Sequence, residues 1–206
     1  MQVTSYHYVP FLTTTVVNDP EEIAEYKEIA DEYLEENPDE WGAEWAEECG
    51  TWNSHKLMSN ILFEDERFEQ LTQRISNAVG NFANELGMKL EDVDLELHES
   101  WLNAAKPNHF QECHEHGFSY ISGVYYIHTP KNSGDFVMEN PLQFEWSFNA
   151  HDDSPYGERR YVEPYNGQLI VFPSNISHHV TKNMSDEMRY SLAFNVRTTD
   201  LSPKQD

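Results

Sequence analysis

Three histidines at two places in the chain are candidate metal ligands, because histidine is the residue that most often binds transition metals in proteins. His114 and His116 lie two positions apart in Cys113-His114-Glu115-His116, and His178 follows the Phe172-Pro173 turn much later in the chain. Residues two apart on a strand point to the same face, so the close pair can project together toward a third ligand from another strand. Imidazole suits iron, zinc, copper and nickel, so these residues predict a metal site without selecting the metal.

Two positions of this predicted site have alternatives. His179 is the direct neighbour of His178 and would point to the opposite face of a regular strand, so strand register decides between them. In place of His116, an acid such as Asp135 or Glu139 is a possible ligand from an adjacent strand. Cys113 is expected to face away from the metal, because it is adjacent to His114, and to serve packing.

An arginine follows the third histidine at a short distance. Arg189 and Ser191 alternate with Tyr190 and Leu192, which places the polar pair on one strand face and the apolar pair on the other. An arginine that points into a barrel needs an anion, because buried charges are rarely left unpaired. Its planar guanidinium binds a carboxylate through two parallel hydrogen bonds. The sequence therefore predicts a carboxylate pocket next to the metal.

Two amphipathic helices are predicted before these residues. Asp19-Pro20-Glu21-Glu22 combines a capping acid, a first-turn proline and acids at the positive helix end, and apolar residues then recur at helical spacing as far as Leu34. A second apolar stripe runs from Phe68 to Leu86, and Gly87 stands where a helix would end. We expect both helices to pack on the outside of a sheet as scaffold.

From Leu90 onward the apolar pattern changes to a period of two, which indicates strands. Candidate strands are 93–101, 119–128, 134–139, 142–148, 168–173, 178–183 and 188–197, with an entering strand within residues 1–18. Many short strands separated by proline and glycine turns are typical of a sandwich or jelly roll. We expect a single domain over residues 1–206, with a mostly helical part at 1–90 and a β core at 91–200.

Composition excludes some classes of function. The formal charge of −24 argues against binding to a nucleic-acid backbone, whose affinity rests on basic groups. No apolar run reaches the roughly twenty residues of a membrane span, and the first residues lack the pattern of a signal peptide. With two cysteines and no disulfide framework, a cytoplasmic location is expected.

Ordered motifs give the second half of the chain a family resemblance. It resembles the iron(II)- and 2-oxoglutarate-dependent oxygenases, and more narrowly the small 2OG-Fe(II) oxygenases of marine bacteria and cyanophages, over roughly residues 93–197. The motifs are Glu99-Ser100-Trp101-Leu102-Asn103, Gln111-Glu112-Cys113-His114-Glu115-His116, Ser122-Gly123-Val124-Tyr125-Tyr126, Gly167-Gln168-Leu169-Ile170-Val171-Phe172-Pro173-Ser174, His178, and Arg189-Tyr190-Ser191-Leu192-Ala193-Phe194-Asn195.

The resemblance implies a mainly β protein, a double-stranded β-helix (jelly roll) with N-terminal packing helices. It implies Fe(II) and 2-oxoglutarate as cofactors, O2 as cosubstrate, and oxidation of a C–H bond in a small-molecule or peptidyl substrate. His114 would be the first iron ligand and His178 the distal one. The residues implied for 2-oxoglutarate are Arg189, Ser191, a tyrosine from Tyr125 and Tyr126, and the pocket residues Asn103 and Gln111.

One position departs from the general pattern of that superfamily. The general pattern is His-x-Asp/Glu followed by a distal histidine, whereas this chain has His116 at the carboxylate position. Three-histidine iron sites also resemble those of cupin-like thiol dioxygenases, which use no 2-oxoglutarate. A non-catalytic jelly-roll binding protein is the third alternative, because a fold does not determine a function.

Overall fold

The computed structural model describes residues 9–38, 41, 49–142, 154 and 157–200. The predicted strand at 142–148 lies outside the described residues except for its first position, and so do the first eight residues of the predicted entering strand.

Helices precede the β core, as predicted. They are α1 (Pro20–Glu36), α2 (Ile61–Glu64) and α3 (Glu69–Glu85), with a 3-10 turn at Glu66–Phe68 before α3. The Asp19 side chain caps α1 by accepting a hydrogen bond from the Glu21 backbone N–H, and Pro20 occupies the first helical position. Gly87 follows α3 with φ +74, a conformation that glycine adopts without a steric penalty. Both predicted helix boundaries are therefore confirmed.

Ten strands are present within the described part of the chain. They are β1 (Leu12–Thr15), β2 (Trp52–Asn53), β3 (Val93–Ala105), β4 (Gln111–His114), β5 (Ile121–His128), β6 (Phe136–Glu139), β7 (Arg159–Val162), β8 (Gln168–Pro173), β9 (His178–Val180) and β10 (Arg189–Asp200). Their order in one antiparallel sheet, the large sheet, is β1-β8-β5-β10-β3-β2, and in the other, the small sheet, it is β4-β9-β6-β7.

Each face of the large sheet buries a different set of side chains. Helices α1 and α3 cover one face, where Tyr26 and Phe68 pack against sheet residues such as Tyr125 and Leu192. The small sheet covers the other face, where Tyr126 belongs to a separate apolar cluster. The neighbours Tyr125 and Tyr126 lie in different clusters because successive side chains of a strand point to opposite faces. The protein is thus mainly β, a double-stranded β-helix with helices packed on its outside.

Some local features differ from the predicted pattern, among them the short strand β2. Strand β7 at Arg159–Val162 was not predicted, because two of its four residues are charged, most are exposed, and it lies at the edge of the small sheet. His116 lies just beyond the end of β4, so its position does not follow from regular strand geometry. Among the described helices, none has both the length and the apolar character needed to cross a membrane.

Candidate active site

Two of the predicted ligands face each other across the small sheet. His114 ends β4, His178 begins β9, and the two are direct register partners with ring centroids 4.3 Å apart. The Nδ1 atom of His114 lies 2.8 Å from the Glu112 carbonyl oxygen, and Nδ1 of His178 lies 2.9 Å from the Ile176 carbonyl oxygen. A carbonyl oxygen only accepts, so each Nδ1 donates its proton and Nε2 carries the ring's lone pair.

His116 reaches the same place from the loop after β4. Its backbone N–H donates to the Ser174 carbonyl oxygen at 2.9 Å, and its ring centroid lies 5.1 Å from that of His114 and 5.2 Å from that of His178. Trp101 lies behind it, with ring centroids 6.0 Å apart. A loop hydrogen bond, and not the alternation of a strand, therefore brings His116 to the other two rings.

A hydrogen-bond chain supports this loop from the large sheet. The Asn195 amide donates to the Glu99 carboxylate at 2.8 Å, and the Ser122 hydroxyl donates to the Asn195 carbonyl oxygen at 2.7 Å. The Ser122 and Ser174 hydroxyls are also 2.7 Å apart. Because Ser174 accepts from the His116 backbone, the chain links Glu99 and Asn195 to the position of the third histidine.

The three imidazoles fit a divalent transition metal. One ring nitrogen from each of His114, His116 and His178 lies within 4.8 Å of the others. Nitrogens that share one ion through bonds of about 2.0–2.1 Å are roughly 4 Å apart or less, so small ring rotations are sufficient. Among the described residues, neither Asp135 nor Glu139 belongs to this group. Imidazole nitrogen is a suitable donor for Fe(II).

Burial keeps these histidines neutral, which is the form that binds metals. Burial lowers the pKa of His116 to about 4, helped by the charge of His114 and opposed by the Glu99 carboxylate. Burial also lowers the pKa of His114, and it holds the pKa of His178 well below its ordinary value. At neutral pH a metal ion therefore binds these rings without first displacing protons from them.

Arg189 is a buried cation on the strand face that points between the sheets. Its side chain is 5% exposed, and its guanidinium donates to the Ser133 carbonyl oxygen. Burial lowers the pKa of Arg189, which shows the cost of its charge in this position. Within the described ranges of the chain, no carboxylate forms an ion pair with Arg189.

Two further polar groups of residues that line the same cavity have no hydrogen-bond partner among the described residues. They are the Tyr126 hydroxyl and the Gln111 side-chain nitrogen, and both are buried. Burial raises the pKa of Tyr126 to about 12 despite the nearby Arg189 charge, so the hydroxyl keeps its proton and can donate it. Such orphaned donors are rare in native interiors and call for an acceptor. The cavity thus presents Arg189, Tyr126 and Gln111 to an anion.

One narrow cavity between the sheets contains nearly all the residues predicted from the sequence. The predicted residues that line it are Asn103, Gln111, His114, His116, Tyr126, His178, Arg189 and Ser191. Tyr125 is a correction to the predicted set. It lies on the opposite face of β5, where its ring packs edge-on against Tyr26 with centroids 6.2 Å apart. His179 likewise points away from the cavity and lies 3.5 Å from Glu139.

Sequence reasoning missed several residues that shape this cavity. Thr51, Trp101 and Phe136 line it, although they had no predicted role. Gly134 has φ +100, and a Cβ there would lie 2.8 Å from a guanidinium nitrogen of Arg189. The alternating pattern around Trp101 could have suggested that it points inward, whereas the contact of Gly134 depends on tertiary structure alone.

Comparison with known families agrees with this geometry. Residues 99–195 match the model of a family described as "Putative 2OG-Fe(II) oxygenase". A search of the curated proteins finds no match.

Solved structures resemble the fold over most of the chain at low sequence identity. A Pseudomonas putida prolyl-4-hydroxylase is 17% identical with a TM-score of 0.61, over 92% of each chain. SnoK, a non-heme alpha ketoglutarate dependent carbocyclase from nogalamycin biosynthesis, is 14% identical with a TM-score of 0.67, over 97% of this chain and 85% of its own. HygX from Streptomyces hygroscopicus, with nickel and 2-oxoglutarate bound, is 12% identical with a TM-score of 0.59, over 92% of this chain and 83% of its own.

Residues 99–195 belong to the 2OG-Fe(II) oxygenases. The protein is therefore an oxygenase with Fe(II) and 2-oxoglutarate as cofactors, and the match favours this class over both alternatives raised from the sequence.

Proposed function

We propose that this oxygenase is a hydroxylase in which His114, His116 and His178 hold the iron and Arg189 binds the far carboxylate of 2-oxoglutarate. The observation that carries the proposal is the coincidence of two features in one cavity. Three neutral imidazoles converge at one place, and a buried arginine that forms no ion pair among the described residues faces the same space. The imidazoles offer lone pairs to a metal cation and the arginine needs an anion, so iron with a bound dicarboxylate satisfies both.

The charges of this arrangement favour a dianionic cosubstrate. Three neutral ligands leave the iron with its full charge of two, and Arg189 adds one more positive charge. A site with a carboxylate in place of His116 would be less positive by one unit. 2-Oxoglutarate carries two negative charges, so the histidine at position 116 increases its electrostatic attraction to the site.

The polar groups that line the cavity orient the cosubstrate. Arg189 binds the far carboxylate through its planar guanidinium, and the Tyr126 hydroxyl donates a further hydrogen bond beside it. The Ser191 hydroxyl lies two residues along the same face of β10. Asn103 and Gln111 line the wall on the way to the histidines and contribute amide donors.

Iron(II) with 2-oxoglutarate supplies the oxidising chemistry, which couples decarboxylation of the cosubstrate to oxidation of a C–H bond. The protein supplies geometry and dry containment. Phe136 and Phe172 form the apolar wall against His178, with ring centroids 5.4 and 4.6 Å from it. This wall keeps water away from the reacting groups and holds the His178 ring in place.

The substrate is a small molecule or a peptidyl group, with O2 as the second substrate. The cavity is narrow, with a volume of about 70 Å³, so only the reacting part of a larger substrate can approach the histidines. The structural likeness to a prolyl-4-hydroxylase supports hydroxylation of an unactivated C–H bond as the reaction type. The charge of −24 supports a substrate other than nucleic acid.

The domain organisation and the location of the protein are further parts of the proposal. Residues 1–206 form one domain, because the helices of the first ninety residues and the strands of the remainder share one hydrophobic core in the described part of the chain. A cytoplasmic location is consistent with the two cysteines, neither of which forms a disulfide in the described part of the chain.

The test is succinate formation by the iron-loaded protein with a panel of small-molecule and peptidyl substrates. We expect succinate to require 2-oxoglutarate, and the KM for 2-oxoglutarate to rise at least about tenfold in Arg189→Gln, since a charge-assisted hydrogen bond is worth roughly 1.5–3 kcal/mol. The matched control is Arg197→Gln on the same strand, because Arg197 is exposed and pairs with Glu96. An unchanged KM in Arg189→Gln would remove Arg189 from the cosubstrate site.

The metal ligands need a separate measurement. We expect His178→Ala to bind iron at least about tenfold more weakly, whereas His128→Ala should bind iron like the unchanged protein, because His128 lies at the end of β5 near Glu187. Hydroxylated product, identified by a mass increase of one oxygen atom, supports the hydroxylase proposal. A product without added oxygen would contradict it.

A further inference from the structure

A second group of potential ligands lies on the outer face of the small sheet. Cys113 on β4, Glu139 at the end of β6 and His179 on β9 each offer one ligand atom, and these atoms lie within 4.8 Å of one another. Strand alternation places this group opposite the cavity, because Cys113 adjoins His114 and His179 adjoins His178. We call these three residues the outer cluster.

One nitrogen of the outer cluster lacks a hydrogen-bond partner. Nδ1 of His179 is buried, and no group among the described residues forms a hydrogen bond with it. Its contact with the Glu139 carboxylate, at 3.5 Å, is too long or too poorly aligned for a hydrogen bond. A buried polar atom without a partner calls for an explanation, and a bound cation is one of the recognised ones.

The Glu139 carboxylate is held in place by a neighbouring cation. Arg159 on the edge strand β7 donates to both carboxylate oxygens, at 2.9 and 3.1 Å. A carboxylate has about four lone-pair sites, so these contacts leave acceptor capacity for a metal. Arg159 therefore acts as a group that orients the ligand, in the way that hydrogen-bonded partners orient carboxylates in metal sites.

We propose that Cys113, Glu139 and His179 bind a zinc-class divalent cation at a site separate from the iron site. The donor set is one sulfur, one nitrogen and one oxygen, which suits zinc better than magnesium or calcium. Three protein ligands leave one tetrahedral position for water, and the exposure of Cys113 gives that position access to solvent. The proposal does not depend on the hydroxylase assignment, because it rests on a different face and a different set of residues.

The expected consequence is a cross-link of the small sheet behind the iron ligands. The outer cluster joins β4, β6 and β9, and two of its members are sequence neighbours of His114 and His178. A cation bound there ties together the strands that carry these two histidines. It would thereby stabilise the iron site from the side that substrate does not reach.

Cobalt provides a direct test, because thiolate-to-cobalt charge transfer absorbs in the near ultraviolet and three histidines cannot produce that band. We expect purified full-length protein, titrated with Co²⁺, to develop the charge-transfer band and to bind two equivalents of metal. Cys113→Ser should lose the band and one equivalent. His179→Gln should weaken the binding that produces the band by at least about tenfold.

The second cysteine is the matched control. Cys49 is buried, and its sulfur accepts a hydrogen bond from the Glu112 backbone N–H at 3.3 Å. We expect Cys49→Ser to keep the charge-transfer band. No band in the unchanged protein, or a band that survives Cys113→Ser, would overturn the proposal, and so would a band that depends on Cys49 instead.

Discussion

Two adjacent tyrosines on β5 have opposite roles because their side chains point to opposite faces. Tyr126 lines the cavity with an unpartnered hydroxyl, and Tyr125 packs under α1. We predict that Tyr126→Phe raises the KM for 2-oxoglutarate about tenfold or more, because one hydrogen bond to a carboxylate is lost. Steady-state kinetics at varied 2-oxoglutarate measure this effect.

The neighbouring substitution provides the control for this prediction. Tyr125→Phe removes the same atom from a residue that does not line the cavity, so the KM for 2-oxoglutarate should be unchanged. A rise in KM for Tyr125→Phe and none for Tyr126→Phe would show that the faces of β5 are assigned incorrectly.

Gly134 sets the space available to the Arg189 side chain. A Cβ at this position would lie 2.3 Å from the Thr181 carbonyl oxygen and 2.8 Å from an Arg189 nitrogen, at a φ of +100 that side chains disfavour. We predict that Gly134→Ala weakens 2-oxoglutarate binding and lowers the melting temperature. Calorimetric titration and thermal unfolding measure the two effects.

Gly80 in α3 is the comparison for this substitution. An added Cβ there meets no atom within 4 Å, and alanine in a helix interior is more stable than glycine by roughly 0.5–1 kcal/mol. Gly80→Ala should therefore raise the melting temperature and leave 2-oxoglutarate binding unchanged. Equal behaviour of the two variants would contradict the proposed role of Gly134.

The sequence predicted the cavity residues better than it predicted their contacts. Residue type and spacing were enough to predict that His114 and Arg189 line the cavity, whereas the choice of His178 over His179 needed the family resemblance as well. They were not enough to choose between Tyr125 and Tyr126, since that choice depends on which face of β5 the helices cover. The contact between Gly134 and Arg189 joins two residues far apart in sequence, and no local pattern encodes it.

At the scale of elements, a carboxylate connects α1 to the turn before α3. Asp65 accepts hydrogen bonds from the Tyr33 hydroxyl at 2.9 Å and from the Arg67 backbone and side chain at 2.9 and 3.0 Å. Burial alone would raise the pKa of Asp65, but the hydrogen bonds from Arg67 and Tyr33 lower it overall. The folded state therefore favours the charged carboxylate more than the unfolded state does.

This lowered pKa predicts a stability that depends on pH. A carboxylate with a lowered folded pKa stabilises the protein fully above about pH 5, and the contribution is lost as pH falls through about 3.9 toward the folded value. We predict that Asp65→Asn loses about 1–2 kcal/mol of unfolding free energy at pH 7 and much less at about pH 3. Denaturant unfolding across this pH range measures the difference.

Glu28→Gln is the control for the loss of one negative charge. Glu28 is exposed on α1, so its replacement should change stability little at either pH. A loss at Asp65 that is the same at both pH values would mean that its charge does not contribute.

Prediction was most successful for elements with strong periodicity. The apolar stripe of α3 and the alternating sequence patterns at the start of β3 and in β10 extend over many residues, so the sequence indicates these elements clearly. Strand β7 buries little, and its charged residues pair with β6 at the sheet edge, as Arg159 does with Glu139. With only Tyr161 and Val162 as apolar residues, such a strand has a weak sequence pattern, and its pairing with β6 contributes more to its stability than its burial does.

At the scale of the whole molecule, the charge distribution separates an acidic exterior from a cationic interior site. Acidic residues outnumber Lys and Arg by 37 to 13. Between residues 21 and 48 the excess is greatest, and part of that segment is α1. Arg189 and the proposed iron lie between the two sheets, where the helices and strands separate them from most of this charge. The surface repels anions over long distances, while the cavity attracts one at short range.

The acidic exterior predicts that salt stabilises this protein at neutral pH. Like charges repel more strongly in the compact state, and raising the salt from about 0.01 M to about 1 M shortens the screening length from about 30 Å to about 3 Å. We predict that the melting temperature at pH 7 rises by several degrees over this range, since about 1 kcal/mol corresponds to about 2–4 °C in a domain of this size. Near the isoelectric point of about 4.6 the net charge vanishes, so the same salt series should produce no rise there. Scanning calorimetry in sodium chloride measures both series. A melting temperature that falls with salt at pH 7 would contradict the prediction. It would show that specific ion pairs, such as Arg67 with Asp65 and Glu32, outweigh the overall repulsion.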